Sequence, residues 1–300
     1  MGTSHRHKPS VAGEPNWGNA SNSVSAIARS EAELDDLEQE LEAIENQNQE
    51  QEQDQEQEGN TPVEPHTIAA PPRRITKRQE QLGRQICSNY HHAVRNLVRA
   101  AGGRSKVSSG SSKAVGHAGI AVARGIVSVF NEIVSNGLSA WLQKRGVGSL
   151  IGRRCKDVLD LIKSFINNDV AGLDNTAANE ALESVMDEVG LKIGEDVGSF
   201  DNVMSAMMVS DDIKNLLDRF FGMYIFSHLS QNFQEKLQYE RGSKVMNDTM
   251  EEIKELIMDD IARGIGGRDV SIIDWNTPEA EIFIQKEFDR IIYILTGNED

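Results

Sequence analysis

The chain has 300 residues with 31 basic and 47 acidic side chains, so its formal net charge at neutral pH is −16. The charge is segregated: residues 1–72 hold 3 Lys and Arg against 15 Asp and Glu, residues 73–156 hold 16 against 2, and residues 157–300 hold 12 against 30. Complementary fields of this strength steer association and set its register. The composition therefore indicates electrostatic docking rather than catalysis.

Aromatic residues make up only 5% of the chain, and the β-branched residues are scattered at helical spacing, so a sheet has little from which to form. We predict an all-α protein. Its body is a helical bundle over residues 73–300, divided into a basic half (73–156) and an acidic half (157–300). Residues 1–72 are predicted to be a long, disordered, acidic N-terminal arm.

Within the arm, residues 2–30 are rich in Pro, Gly, Asn and Ser and are predicted to be disordered when alone. A short helix is predicted at residues 31–45, where four apolar residues repeat at spacings of three and four: Leu34, Leu37, Leu41 and Ile44. The Glu/Gln tract at 46–58 is predicted to be a solvated spacer. Two interpretations stay open, an acidic solubilising tail and a tether that presents the N-terminus to another protein.

The tether interpretation has a chemical basis at Gly2. Removal of the initiator methionine is expected before a residue this small, and it leaves a glycine amine. An α-amino group titrates near about 7.7–8.0 and Lys near about 10.4, so at neutral pH this amine is the better nucleophile. A flexible arm of about seventy residues has an end-to-end distance of roughly 45 Å, enough to enter the pocket of another enzyme.

The basic half contains an amphipathic helix predicted over residues 76–101 and a second helix predicted from Ala114 to about Lys144. Between them, residues 102–113 are predicted to be a flexible Gly/Ser/Lys loop. The loop lacks the GxxxxGK spacing and the preceding strand that a P-loop requires, so we do not expect it to bind nucleotide. The basic residues have three open roles: neutralisation by the acidic half or a protein partner, solvated surface, or nucleic-acid contact.

The acidic half is predicted to form successive amphipathic helices at 156–166, 176–193, 211–239 and 247–265, with a last helix after Thr277. Ser210 and Thr277 are predicted helix caps, and Pro278 suits the first turn that follows Thr277.

No catalytic motif and no metal-ligand spacing occurs in the sequence, so we predict that the protein is not an enzyme and needs no cofactor. His228, on an apolar helix, is predicted to be a core histidine with its polar atoms satisfied. The pairs Asp211–Asp212 and Asp259–Asp260 are predicted to be surface charges, because adjacent residues on a helix diverge by about 100°.

The location is predicted to be the cytoplasm, since no signal peptide precedes the two cysteines, Cys87 and Cys155, and a reduced state fits them best. The most apolar run, residues 118–134, is interrupted by Arg124, Asn131 and Glu132. It falls short of the roughly 20 apolar residues that a membrane span requires. We predict a buried helix there and no contact with a membrane.

Several short motifs together carry a family resemblance. They are Met1-Gly2-Thr3-Ser4, Pro15-Asn16-Trp17, Leu82-Gly83-Arg84, Gly102-Gly103 with its Ser-rich continuation, Gly137-Leu138 through Leu142, and Val147 to Arg153. With these residues the chain resembles the QatB family of bacterial Qat anti-phage defence systems. The likeness spans most of residues 1–20 and 80–160, whereas the Glu/Gln-rich stretch at 31–58 departs from the family pattern.

The resemblance implies a non-enzymatic adaptor in a four-protein system with a KAP-like P-loop ATPase, a QueC-like enzyme and a TatD-like nuclease. It further implies that the QueC-like enzyme binds this protein and modifies Gly2 with a 7-deazaguanine group. The partner-binding residues predicted with it are Thr3, Ser4, Trp17, Arg84, Arg95, Arg99 and Arg104. The alternatives are a nucleic-acid-binding module formed by residues 73–156 and a toxic effector restrained by the other three proteins.

Overall fold

The computed structural model describes residues 16–58, 73–150, 154–167, 171–194, 197–208, 210–264 and 273–297. These residues form α-helices and two short 3-10 turns and include no strand, so the predicted all-α class is confirmed. The helices of the described ranges are α1 (Gly18–Glu58), α2 (Arg73–Ala100), α3 (Arg104–Ser108), α4 (His117–Asn136), α5 (Leu138–Lys144), α6 (Cys155–Ile166), α7 (Leu173–Ile193), α8 (Phe200–Met208), α9 (Asp211–Arg241), α10 (Ser243–Arg263) and α11 (Pro278–Leu295).

The long helix α9 forms the centre of the bundle. Helices α7 and α10 pack along it, and α1, α2, α4, α8 and α11 also contact it. Its apolar residues are nearly all buried, and the ring of Phe221 stacks on Phe288 of α11 with the centroids 4.3 Å apart. One hydrophobic core therefore joins the basic and the acidic halves of the chain.

Both predicted caps are confirmed. Ser210 Oγ accepts a hydrogen bond of 3.2 Å from the Asp212 N–H, and Thr277 Oγ1 accepts one of 3.4 Å from the Glu279 N–H. Pro278 occupies the first turn of α11. These hydroxyls satisfy N–H groups that have no partner within the helix.

A single helix from Ala114 to Lys144 was predicted, and this prediction was wrong. The chain breaks at Gly137, whose φ of 81° favours glycine, and α5 begins at the next residue. The Leu138 N–H donates to Asp201 Oδ1 at 2.8 Å. The cap of α5 therefore comes from α8, which is distant in the sequence.

The flexible loop predicted at residues 102–113 was also wrong, because this segment contains the short helix α3. The side chain of Val107 is buried in the core. The buried Ser112 Oγ donates to the Ala101 carbonyl at 2.7 Å. Apolar and hydrogen-bonded anchors thus fix a segment whose composition suggested mobility.

Helix α1 is the largest departure from the sequence predictions. Disorder was predicted for residues 18–30 and a short helix for 31–45, whereas one helix runs over Gly18–Glu58. Its first half buries four apolar residues completely: Ala20, Val24, Ile27 and Ala28. A groove formed by α2, α9 and α10 supplies this burial, which offsets the entropy of ordering the segment. The predictions for residues 1–15 and 59–72 lie outside the described residues.

Candidate interaction surfaces

A row of basic side chains follows the outer face of α2. We call Arg74, Lys77, Arg84, His92 and Arg99 the basic stripe. All five are exposed, and none pairs with another described residue. At 100° per residue they lie within about 80° of one another around the helix. No acidic residue of α2 occupies the same arc, so the Lys and Arg residues of the stripe give this face of the helix a positive charge.

Two of the four arginines predicted to bind a partner belong to this stripe, namely Arg84 and Arg99. Arg95 instead donates to the Thr296 carbonyl at 2.7 Å. Arg104 forms a two-point ion pair with Asp289, at 2.8 and 2.5 Å, and its guanidinium lies 4.8 Å from the centre of the Tyr293 ring. Arg95 and Arg104 thus contact the C-terminal end of the same chain. Partner binding by these four arginines stays a prediction.

Some opposite charges of the three blocks meet within the chain. Arg78 of α2 forms a two-point ion pair with Glu33 of α1, at 2.5 and 2.7 Å. Arg124 of α4 pairs with Glu281 of α11 at 2.6 Å. Self-neutralisation therefore accounts for part of the basic segment, and the basic stripe is one part that it leaves open.

The beginning of α1 is fixed on the bundle. Trp17 is half-buried and packs against the core. Lys236 of α9 donates to Ser21 Oγ at 2.8 Å. The start of α1 therefore has a defined place on the bundle. Gly2, Thr3 and Ser4 lie outside the described residues, so their predicted roles stay predictions.

A buried polar cluster connects three helices at the start of α4. Asp174 of α7 accepts hydrogen bonds from the Ala118 N–H at 2.7 Å and the Gly116 N–H at 3.3 Å. His228 Nε2 lies 3.0 Å from the same carboxylate, and the Tyr224 hydroxyl donates to it. His228 is 1% exposed, so the prediction of a satisfied core histidine is confirmed. The sequence could not reveal this cluster, because its members are distant along the chain.

Hydrogen bonds stabilise the ionised form of the Asp174 carboxyl group. Burial raises the pKa of this carboxyl, but the hydrogen bonds from His228, Tyr224 and the Ala118 N–H outweigh burial and leave the pKa below its ordinary value. Burial and the Asp174 charge raise the pKa of Tyr224, so its hydroxyl stays a donor. The cluster therefore holds these helices together through hydrogen bonds to both oxygens of Asp174.

A second buried cluster pairs basic and acidic side chains of α9 and α11. Lys214 lies 2.7 Å from Asp218 and 3.3 Å from Glu287, and Arg290 pairs with both carboxylates. Burial and the neighbouring Glu287 raise the pKa of Asp218 to about 6. Lys214 and Asp218 also line a cleft of about 660 Å³ between α9 and α10.

A cysteine, a histidine and a carboxylate meet where α2, α10 and α11 come together. Cys87 Sγ lies 3.7 Å from His91 Nε2, and His91 Nδ1 lies 3.7 Å from Asp260 Oδ2. The Asp260 side chain is only 14% exposed, so its prediction as a surface charge was wrong. Burial, followed by the Asp260 charge, raises the pKa of Cys87. A nucleophilic cysteine requires a lowered pKa, so this geometry does not indicate thiol catalysis.

Within the described residues, no group of three or more His, Cys, Asp or Glu side chains is arranged to hold a metal ion. Both cysteines are free thiols. These observations concern only the parts of the chain that the structure describes.

In the described ranges, α4 is the one helix long and apolar enough to cross a membrane by length and composition. Because α4 has 20 residues, the sequence argument that this apolar run is too short to span a membrane was wrong. In its most apolar window 56% is buried, and α4 packs against α5, α6, α7, α8, α9 and α11. This packing is that of a core helix of the bundle, as the sequence predicted.

The fold and surfaces define an all-α protein with one core and segregated surface charge. Residues 102–295 match the sequence model of a family described as Qat anti-phage system associated protein QatB. The match covers more than half of the chain, and the chain therefore belongs to the QatB family. This membership implies a role in Qat anti-phage defence. No curated protein matches the chain, and no solved structure matches it.

Proposed function

We propose that this chain is a non-enzymatic adaptor of a Qat anti-phage defence system and that it binds the QueC-like enzyme of that system. In this proposal the enzyme modifies the amine of Gly2 with a 7-deazaguanine group after Met1 is removed. The KAP-like ATPase and the TatD-like nuclease are the further partners. The complex operates in the cytoplasm and away from membranes.

One observation carries the proposal: the start of α1 is fixed, by Trp17, Ala20 and Val24 in the core and by Ser21 on Lys236. Fifteen residue steps separate Gly2 from Trp17, so the two lie at most about 54 Å apart. Because α1 is anchored at Trp17, fifteen residue steps separate Gly2 from the bundle, rather than the free arm of about seventy residues that the sequence suggested. An enzyme that acts on Gly2 must therefore bind within this distance of the first turn of α1.

The chemistry of the terminal amine supports this role. Its pKa near about 7.7–8.0 leaves a substantial unprotonated fraction at neutral pH, when lysine amines are almost fully charged. Glycine also places no side chain beside the nitrogen. The basic stripe, which would hold the enzyme, carries the charge that electrostatically steered association requires.

Deletion of residues 2–12 tests the presentation of the N-terminus, because it leaves α1 and the core intact. We expect the shortened chain to melt at the same temperature as the full chain and to lose phage protection in cells that express the other three proteins. Retained protection would overturn the proposal.

Co-purification tests the adaptor role. Tagged wild-type chain should retain the QueC-like enzyme, and the pair Arg84→Glu and Arg99→Glu should reduce this retention. The matched control is Arg241→Glu with Lys254→Glu, which makes the same charge change at exposed positions of α9 and α10. Failure of the wild-type chain to retain the enzyme would contradict the adaptor role.

A second candidate function is nucleic-acid binding, and the basic stripe favours it because phosphates prefer such a surface. If the four Lys and Arg residues of the stripe contact phosphates, log K should fall with log salt concentration at a slope of about −3.6 on duplex DNA. A flat salt titration, or one that the Arg84→Glu and Arg99→Glu pair leaves unchanged, would exclude this function.

A further inference from the structure

Two surfaces of this chain are oppositely charged, and their charged side chains form no hydrogen bond or ion pair among its described residues. One is the basic stripe of α2. The other is the second half of α1, residues 38–58, which we call the acidic rod. It carries nine acidic and no basic residues. Where its side chains are described, the acids are exposed: Glu38, Glu40, Glu42 and Glu45.

Beyond Glu40, which lines a groove with Arg74 and Lys77, the geometry of the α1–α2 pair keeps the rod away from the stripe of its own chain. Glu33 pairs with Arg78, and further along α1 Glu40 lines a groove with Arg74 at the start of α2. The two helices therefore run in opposite directions, and α1 passes the start of α2 near Glu40. The 18 residues from 41 to 58 continue for about 27 Å beyond that point. Because α1 is one continuous helix, it cannot fold back onto Arg84 or Arg99.

The two surfaces match in length as well as in charge. The rod is about 30 Å long, and the stripe covers about 38 Å from Arg74 to Arg99, at a rise of about 1.5 Å per residue. Both also precede residues 102–295, the part of the chain that matches the QatB family.

We propose that two copies of this chain form a symmetric dimer in which the acidic rod of each lies along the basic stripe of the other. A two-fold axis makes the contact reciprocal, so one arrangement neutralises both surfaces of both copies. Nucleic acid would neutralise the stripe and leave the rod with its repelling charges. A second copy neutralises both the stripe and the rod. The inference does not depend on the proposed modification of Gly2. Because the dimer covers Arg84 and Arg99, the QueC-like enzyme and the second copy compete for the stripe, and the enzyme binds the monomer.

The mass in solution tests this dimer, measured by light scattering and sedimentation of the full chain at 50 mM and 500 mM NaCl. We expect a dimer at the lower concentration and dissociation at the higher one, because exposed charge contacts are screened by salt. A wild-type chain that stays monomeric at 50 mM NaCl overturns the proposal.

Charge reversal supplies the decisive comparison. The rod variant replaces six of the nine acids by Lys, at Glu38, Glu40, Glu42, Glu45, Glu50 and Glu52, which makes the rod net positive. The stripe variant combines Lys77→Glu, Arg84→Glu and Arg99→Glu, which makes the stripe net negative. Each variant alone brings like charges together, so we expect its dimer affinity to fall at least about 10-fold. An equimolar mixture of the two variants restores both contacts and should dimerise within about 3-fold of wild type.

The control changes the net charge as the rod variant does, at six exposed positions of α7, α9 and α10 that are replaced by Lys: Glu180, Asp187, Glu235, Glu251, Glu255 and Asp259. This control should keep the wild-type dimer. A mixture of the rod and stripe variants that stays monomeric would contradict the rod-to-stripe contact. A monomer that binds a labelled DNA duplex through the stripe would identify nucleic acid as the occupant and overturn the dimer.

Discussion

Asp174 Oδ2, in the first turn of α7, accepts a hydrogen bond of 2.7 Å from the backbone N–H of Ala118 at the start of α4. The carboxylate serves as the missing cap of α4, because Gly116 offers no side chain of its own. Tyr224 and His228 of α9 complete the contact. One acidic residue thus fixes how three core helices meet.

Asp174→Asn should destabilise the fold, because an amide brings N–H donors toward groups that already donate and removes a stabilised charge. We expect the free energy of unfolding to fall by about 3 kcal/mol, measured by urea denaturation. Asp187→Asn, at an exposed position of the same helix, is the control and should change it by less than about 0.5 kcal/mol. Equal effects of the two substitutions would show that the cluster adds nothing to stability.

Two glycines in helices should respond to alanine in opposite ways. A Cβ on Gly119 would lie 2.7 Å from Cε1 of the buried Tyr224 ring, so Gly119→Ala should cost about 2 kcal/mol. A Cβ on Gly83, in the exposed face of α2, meets nothing within 4 Å, so Gly83→Ala should stabilise by about 0.5–1 kcal/mol. Thermal and urea unfolding of both variants measure these changes. The same sign at both positions would contradict the packing of α4 against α9.

The contact of α1 with α10 should weaken as the pH rises. Burial, followed by the charges of Glu252, Asp248 and Glu38, raises the pKa of Glu31 to about 7. The folded state therefore binds this proton more tightly than the unfolded state, whose carboxyl titrates near 4.5. Its stabilising effect is complete below about pH 4.5 and is lost as the pH rises through about 7.

Glu31→Gln removes this titration, so stability between pH 4.5 and 7.5 should fall less steeply with pH in the variant than in wild type. Urea unfolding at several pH values measures both slopes. Glu42→Gln, at an exposed site of the same helix, should keep the wild-type slope. Identical slopes for wild type and Glu31→Gln would contradict the role of this carboxyl.

The anchoring of α1 is testable at Val24, which is fully buried. Val24→Asp places an unpaired charge in the core and should release the first half of α1. Amide hydrogen exchange at residues 18–40 should then accelerate at least about 10-fold. Asn22→Asp introduces the same charge on the exposed side, two residues away, and should leave exchange unchanged. Equal exchange in the two variants would show that α1 is not held by this contact.

The sequence revealed the parts of the fold that local chemistry specifies. The hydroxyls of Ser210 and Thr277 mark the starts of α9 and α11, because each bonds an N–H two residues away. The apolar spacing of α9 likewise identified the central helix and its histidine. Such signals lie within one or two turns of a helix and can be read from the sequence alone.

What the sequence could not reveal depends on residues that meet only in the folded chain. The break at Gly137 is capped by Asp201, 63 residues later than the start of α5. The first half of α1 mixes polar residues with scattered apolar ones such as Val24 and Ile27, and the burial of these side chains requires a groove built by three other helices. For the same reason, nothing in the spacing of Arg95 and Arg104 showed that they contact the C-terminal end of the chain.

The mass of the N-terminal peptide tests the central claim most directly. It should be measured on chain purified from cells that express all four Qat proteins and from cells that lack the QueC-like enzyme. We predict that Gly2 carries a 7-deazaguanine group only in the first cells, and that Val24→Asp lowers the modified fraction whereas Asn22→Asp does not. An unaltered glycine amine in the cells with the complete system would contradict the account.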